Sequence, residues 1–230
     1  MRKIALLGGS FNPPHLAHFA MADQITKHID VDEVWFLFSI NRHKDSSKYA
    51  SVKDRMAMGD ILAKKYPDKK FVMSDIEDEI GTHITYDVLF ALRNKFPNDR
   101  FIWVMGADNL VEFHTKWENF DKIIEEFPIV ILDRPEYTQA AKKSYTALTY
   151  AYLMKDNPKD IGNADNGWTW ISLDLQMSSS AIVADLKNGK RNFGQAYQPV
   201  IDYILQHKLY GTGDETMVTP TKELSTPKPP

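Results

Sequence analysis

Close to the start of the chain, Ile4-Ala5-Leu6-Leu7 runs straight into Gly8-Gly9-Ser10-Phe11-Asn12-Pro13-Pro14 and then into His15-Leu16-Ala17-His18. An unbroken apolar run bounded by glycines reads as a strand buried on both faces, and such strands belong to parallel sheets covered by helices. Proline is accommodated in the first turn of a helix and not later, so Pro13 and Pro14 announce a helix that begins near His15. Strand, glycine turn and helix start follow one another without a break, which restricts the fold to the α/β class.

Such a junction can hold phosphate. Gly8 and Gly9 leave room for an anion to approach the backbone, and the amides of the turn and of the helix start carry the positive end of their dipoles. His15 and His18, three residues apart, share a helix face and add imidazole donors. The same pattern also arises where glycines merely turn a strand and the histidines pack as helix residues, so the remaining chain has to choose.

It repeats the alternation. Apolar positions Leu16, Phe19, Ala20, Ala22 and Ile25 predict a helix over 15–28, and Glu33–Phe38 a second strand. The polar stretch Ser39 to Ser51 follows, with Asn41, Arg42, His43, Lys44 and Lys48; ligands of open parallel sheets bind beyond the carboxyl ends of strands, which makes Lys44 the first choice for a phosphate contact. A helix is expected over 52–66, stopped by Pro67, and a short strand at 71–73. Asp75-Ile76-Glu77-Asp78-Glu79 with Gly81 reads as a solvated loop. A helix from Thr85 to Phe96, capped by Thr85 or Thr82, leads to the strand 101–105, whose carboxyl end runs into Gly106-Ala107-Asp108-Asn109.

Beyond it an amphipathic stretch through Phe120, Ile123 and Ile124 precedes the strand 129–132. Trp117 reads either as core or as an exposed platform for a planar ring. A helix is expected over 138–155, a Gly/Asn/Asp-rich connection over 156–167, and a last strand over 168–173. Met177-Ser178-Ser179-Ser180-Ala181-Ile182-Val183 opens a helix ending near Gly189, its serines suited to capping and its first amides to another anion. A final helix spans 199–207. Residues 1–210 are expected to form one domain, and 211–230, poor in apolar residues, a disordered tail.

Composition excludes several classes. Without cysteine there is no thiolate nucleophile, disulfide framework or cysteine zinc site. A net charge of −3 disfavours a nucleic-acid partner while leaving room for a small anion in a local cluster of donors. No apolar run is long enough to span a membrane, and the apolar start before Gly8 is too short for a secretion signal, so a cytoplasmic location is expected.

Four segments, GGSFNPPHLAH, GADNLVEFHTKW, MSSSAI and PVIDYILQHKLY, occur in an order and spacing that resembles the bacterial nicotinate-nucleotide adenylyltransferases, over most of residues 1–210. The resemblance implies a Rossmann-like, open parallel sheet of the nucleotidyltransferase type, with helices on both faces. It also implies adenylyl transfer from ATP to nicotinate mononucleotide with magnesium, giving deamido-NAD and pyrophosphate in the penultimate step of NAD synthesis. By this resemblance His15, His18 and Lys44 serve the transferring phosphates. Gly8, Gly9, Ser10, Phe11, Asp108, Ser179, Ser180 and Ile182 resemble the ATP site, and Ser10, Asn12, Lys44, Thr85 and Trp117 the acceptor site, with Thr85 at the nicotinate carboxylate and Trp117 stacked on the pyridine. The chemistry suits the composition, because the acceptor phosphate attacks ATP directly and no protein nucleophile is required.

Two positions depart from the family pattern. Val183 stands where an arginine is usual, with Lys187 and Lys190 as nearby replacements, and Ala17 stands for a frequent glycine. Three other functions remain: a related adenylyltransferase acting on phosphopantetheine or nicotinamide mononucleotide, a weakened nucleotide-binding protein, and a metallohydrolase with His15, His18 and Asp108 as ligands.

Overall fold

A computed structural model describes residues 1–39, 49–133, 136–173 and 178–213. The first half alternates as expected: β1 (Lys3–Gly9), α1 (Leu16–His28), β2 (Glu33–Phe38), α2 (Val52–Ala63), β3 (Phe71–Ser74), α3 (Ile76–Ile80), α4 (Thr85–Lys95) and β4 (Arg100–Gly106). The second half runs α5 (Ala107–Lys116), α6 (Phe120–Glu126), β5 (Pro128–Asp133), α7 (Thr138–Lys142), α8 (Tyr145–Thr149), a 3-10 turn at Ala151–Leu153, α9 (Pro158–Ile161) and β6 (Gly167–Ser172). It closes with α10 (Ser179–Lys187), α11 (Gln198–Gln206) and a 3-10 turn at Leu209–Gly211.

The strands form one sheet in the order β3-β2-β1-β4-β5-β6, and every pairing is parallel. Parallel strands are buried on both faces, and β1 shows why its run is unbroken: Ala5 and Leu7 pack with Phe19, Phe36, Val104 and Ile201, whereas Ile4 and Leu6 pack with Leu89, Trp103, Phe113 and Ile131. From β1 the chain builds outward through β2 and β3, then crosses to the other side for β4. This reversal makes the carboxyl ends of β1 and β4 a topological switch point, where a crevice opens because consecutive connections leave in opposite directions.

Two expected loops and two expected helices differ. The acidic run at 75–79 is largely the short helix α3, which ends at Gly81 with φ 82°, a left-handed position suited to glycine. The helix expected over 138–155 is broken, because the Ser144 hydroxyl accepts from the Ala147 N–H and starts a new helix. In the connection 156–167, Asn157 starts α9 in the same way with its side chain on the Lys159 N–H. Helix α2 ends at Ala63, short of Pro67. Lys44 and its neighbours Asn41, Arg42, His43 and Lys48 lie outside the described residues, as do Met177 and the tail from 214. Tyr210, at the expected domain boundary, is buried. Among the described residues no helix is long and apolar enough to cross a membrane.

Candidate active site

The carboxyl ends of β1 and β4 border a cavity of about 490 Å³ lined by Gly8, Gly9, Ser10, Phe11, His18, Glu77, Thr85, Trp103, Asp108, Trp117 and Ser179, among others. Its first wall is the turn after β1. A Cβ on Gly8 would lie 2.8 Å from the indole of Trp103, so the glycine lets this ring pack beneath the turn. Phe11 is buried and has φ 43°, a conformation costly for a bulky residue that persists only where its surroundings enforce it.

Those surroundings are side-chain donors from distant parts of the chain. The Ser179 hydroxyl donates to the Pro13 carbonyl at 2.9 Å, and the buried Tyr197 phenol to the Pro14 carbonyl at 2.7 Å. Arg55 donates to the Ser10 carbonyl. Asn12 Oδ1 accepts from the Tyr210 phenol at 2.9 Å and from the Ala50 N–H at 3.1 Å. Burial raises the pKa of both tyrosines, which keeps their hydroxyls protonated and donating.

His15 and His18 divide the work. His15 is buried and its ring stacks on that of His18, with centroids 3.6 Å apart, and the rings of Phe11 and His18 meet edge-on at 4.9 Å. The His15 backbone N–H donates to His18 Nδ1 at 3.1 Å. A neutral His18 therefore carries its proton on Nε2, which makes that atom a donor, and only His18 of the pair lines the cavity.

The facing wall comes from β4 and its neighbours. The Asp108 carboxylate folds back over Gly106, where a Cβ would occupy its place, and its Oδ1 is buried without a hydrogen-bond partner among the described residues. Thr85 is the first residue of α4; the Thr82 hydroxyl instead accepts from the Ile84 N–H, and no side chain caps the helix. Trp117 is half-buried: it packs against Phe113 at 5.6 Å and also lines the cavity.

A second cavity of about 390 Å³ shares Ser10 and Ser179 with the first and adds Asn12, Tyr49, Ser180, Val183, Ala184, Lys187 and Tyr210. The serines were expected as caps, but none of their hydroxyls caps α10, Ser179 being drawn across to Pro13. Ile182 borders neither cavity and fills the core beneath. Of the two lysines near Val183, Lys190 pairs with Asp185 at 2.6 Å, while Lys187 borders the second cavity.

Several participants are missing from the motifs. Glu77 borders the first cavity with Oε2 buried and without a hydrogen-bond partner among the described residues, and burial, opposed by the Arg55 guanidinium, pushes its carboxyl up to about 7. Its place just after β3 was the available signal, since strand carboxyl ends face the crevice. Arg55 could have been noticed as a charged residue on the buried side of α2, three positions before Met58.

Among the described residues no three His, Asp or Glu side chains gather to hold a metal. Magnesium binds commonly through one or two carboxylates with the remaining positions filled by substrate phosphates and water, and the orphaned oxygen of Asp108 fits that arrangement.

Comparison with known proteins places the fold and the sequence. The cytidylyltransferase-like family model matches residues 6–185. A Parvibaculum lavamentivorans protein named "Probable nicotinate-nucleotide adenylyltransferase" is 38% identical over 63% of this chain and 71% of its own. The protein of the same name from Cereibacter sphaeroides is 34% identical over 79% and 96%, respectively. In fold, the chain is similar to the solved Plasmodium falciparum nicotinic acid mononucleotide adenylyltransferase complexed with APC, with a TM-score of 0.68, 21% identity and coverage of 92% of this chain and 98% of that one. The chain thus belongs to the cytidylyltransferase-like family and, within it, to the nicotinate-nucleotide adenylyltransferases.

Proposed function

We propose that this chain transfers the adenylyl group of ATP to nicotinate mononucleotide, releasing deamido-NAD and pyrophosphate, in the cytoplasm and with magnesium accompanying ATP. The observation that carries this reading is the single cavity in which the glycine turn, His18, Asp108, Thr85 and Trp117 meet, joined through Ser10 and Ser179 to a second cavity bordered by Lys187. The names and identity of the relatives support the choice of acceptor.

The acceptor's phosphate oxygen attacks the α-phosphorus of ATP, a bond to that oxygen forms, and the bond to the bridging oxygen of the leaving pyrophosphate breaks. No group of the protein forms a covalent intermediate, so rate comes from alignment and from donors placed where charge accumulates. His18 Nε2–H and the turn amides donate to the α-phosphoryl oxygens. His15 holds the His18 ring by stacking and fixes its proton position through the backbone bond. Magnesium, held by Asp108 together with substrate phosphates, would supply neutralisation of the phosphate charge. Thr85 and the α4 amides receive the nicotinate carboxylate, Trp117 stacks on the pyridine ring, and Lys187 takes over at the pyrophosphate end the part for which Val183 has no charge.

Pyrophosphate release in the presence of ATP and magnesium tests the assignment. Nicotinate mononucleotide is expected to be the preferred acceptor over nicotinamide mononucleotide and phosphopantetheine. Turnover with either of the latter and none with nicotinate mononucleotide would overturn it.

A further inference from the structure

We infer that Arg55 is a positioning residue of the phosphate site, which gathers the backbone carbonyl oxygens of Ser10, Ser39 and Ala50 and thereby turns the peptide between Ser10 and Phe11 so that its N–H faces an incoming anion. The inference rests on the functional reading only in taking the turn after β1 as the place where phosphate binds.

Arg55 is only 2% exposed, and a buried guanidinium is costly unless its donors are engaged. All three of its nitrogens are engaged with backbone: Nε donates to the Ala50 carbonyl at 3.1 Å, Nη2 to that of Ser39 at 3.0 Å, and Nη1 to that of Ser10. Among the described residues no carboxylate forms an ion pair with it, although Glu77 acts on it through space. The ring of Phe38 lies 6.0 Å from its central carbon. Arg55 borders neither cavity, so it does not contact a ligand there itself.

The identity of these three carbonyls explains the expense. Ser10 belongs to the turn after β1, and Ser39 follows the last residue of β2, so both oxygens lie at the sheet edge where an anion is to bind. A carbonyl oxygen turned toward a phosphate repels it. The C=O and N–H of a trans peptide point in opposite directions, so drawing the Ser10 oxygen to Arg55 directs the Phe11 N–H away from the buried cation. Ser179 and Tyr197 treat the carbonyls of Pro13 and Pro14 in the same manner. The positive φ of Phe11 is the strain that this arrangement holds in place. Arg55 thus acts on the anion through the backbone and leaves its own charge behind the turn.

Two measurements test this. In the wild-type protein labelled with nitrogen-15, titration with inorganic pyrophosphate is expected to shift the Phe11 amide resonance; a Phe11 amide that stays fixed while other amides shift would overturn the inference. In Arg55→Lys, which keeps the charge and loses the three-way fork, calorimetry should show ATP affinity reduced about tenfold or more, whereas adenosine affinity stays within about twofold. Equal losses for the two ligands, or none for either, would mark Arg55 as merely structural. If Arg55→Lys does not fold, the wild-type titration decides alone. Failure of the wild type to use nicotinate mononucleotide would strike the functional reading and leave both of these results standing.

Discussion

The turn after β1 and the start of α10 border the same pair of cavities and are built in opposite ways. At the turn, Phe11 and His15 are buried, and the carbonyls of Ser10, Pro13 and Pro14 are each held by a side chain from elsewhere. At the start of α10, Ser178, Ser180, Ala181 and Lys187 are exposed, and none of the serines caps the helix. A wall fixed before the substrate arrives has no reorganisation to undergo when charge develops, which suits the transferring phosphate. On the proposed reading, an exposed wall bordered by Lys187 would suit a grip on the pyrophosphate end, where one cation can replace another. On that reading the difference would account for Val183 standing where the resemblance leads one to expect an arginine, while the first wall has its histidine pair.

The comparison breaks most easily at His18. Replacing it by alanine should lower kcat by about 10²–10³, the usual consequence of losing a donor to developing charge, with KM for either substrate changed by less than about threefold. A large rise in KM with kcat preserved would move His18 from the chemistry to the grip. Next in size is the rigidity of the first wall. Tyr197→Phe leaves the Pro14 carbonyl without its donor and should cost about 1–3 kcal/mol in denaturant unfolding; a negligible loss would show that the turn is not held as described.

Glu77, which borders the first cavity, adds a pH test. The folded protein raises the Glu77 carboxyl from 4.5 to about 7, so it binds that proton more tightly than the unfolded chain does. The stability this contributes is complete below about pH 4.5 and is lost as pH rises toward about 7. Glu77→Gln removes the burden, so its stability relative to wild type should grow across that window and level off above it, by about 1–2 kcal/mol after allowing for partial solvent access. A difference independent of pH would contradict this. The smallest effect belongs to the second wall: Lys187→Ala should raise KM for ATP about fivefold with kcat nearly unchanged, and Val183→Arg in that background should restore it.

What the sequence made legible follows the same division. The parallel sheet could be read because parallel strands are buried on both faces and each leaves an apolar run, whereas the strand order that makes the switch point comes from the structure. The turn and its histidines could be read because their chemistry is contiguous in the chain. The groups that hold the turn could not, since Arg55 reaches Ser10 across 45 positions, Ser179 reaches Pro13 across 166 and Tyr197 reaches Pro14 across 183. The sequence pattern puts Glu77 in a solvated loop because neighbouring acids dominate it, while its position beyond β3 brings it to the cavity. The serine cluster suggests capping, the local use of serine, whereas Ser179 has a distant one.

The most direct measurement follows the α-phosphorus of ATP. With ATP labelled at that atom, magnesium and nicotinate mononucleotide, the predicted result is that all transferred label appears in deamido-NAD and none remains on the denatured protein. Label bound to the protein during turnover, or released as AMP with no dinucleotide formed, would contradict direct transfer within this cavity.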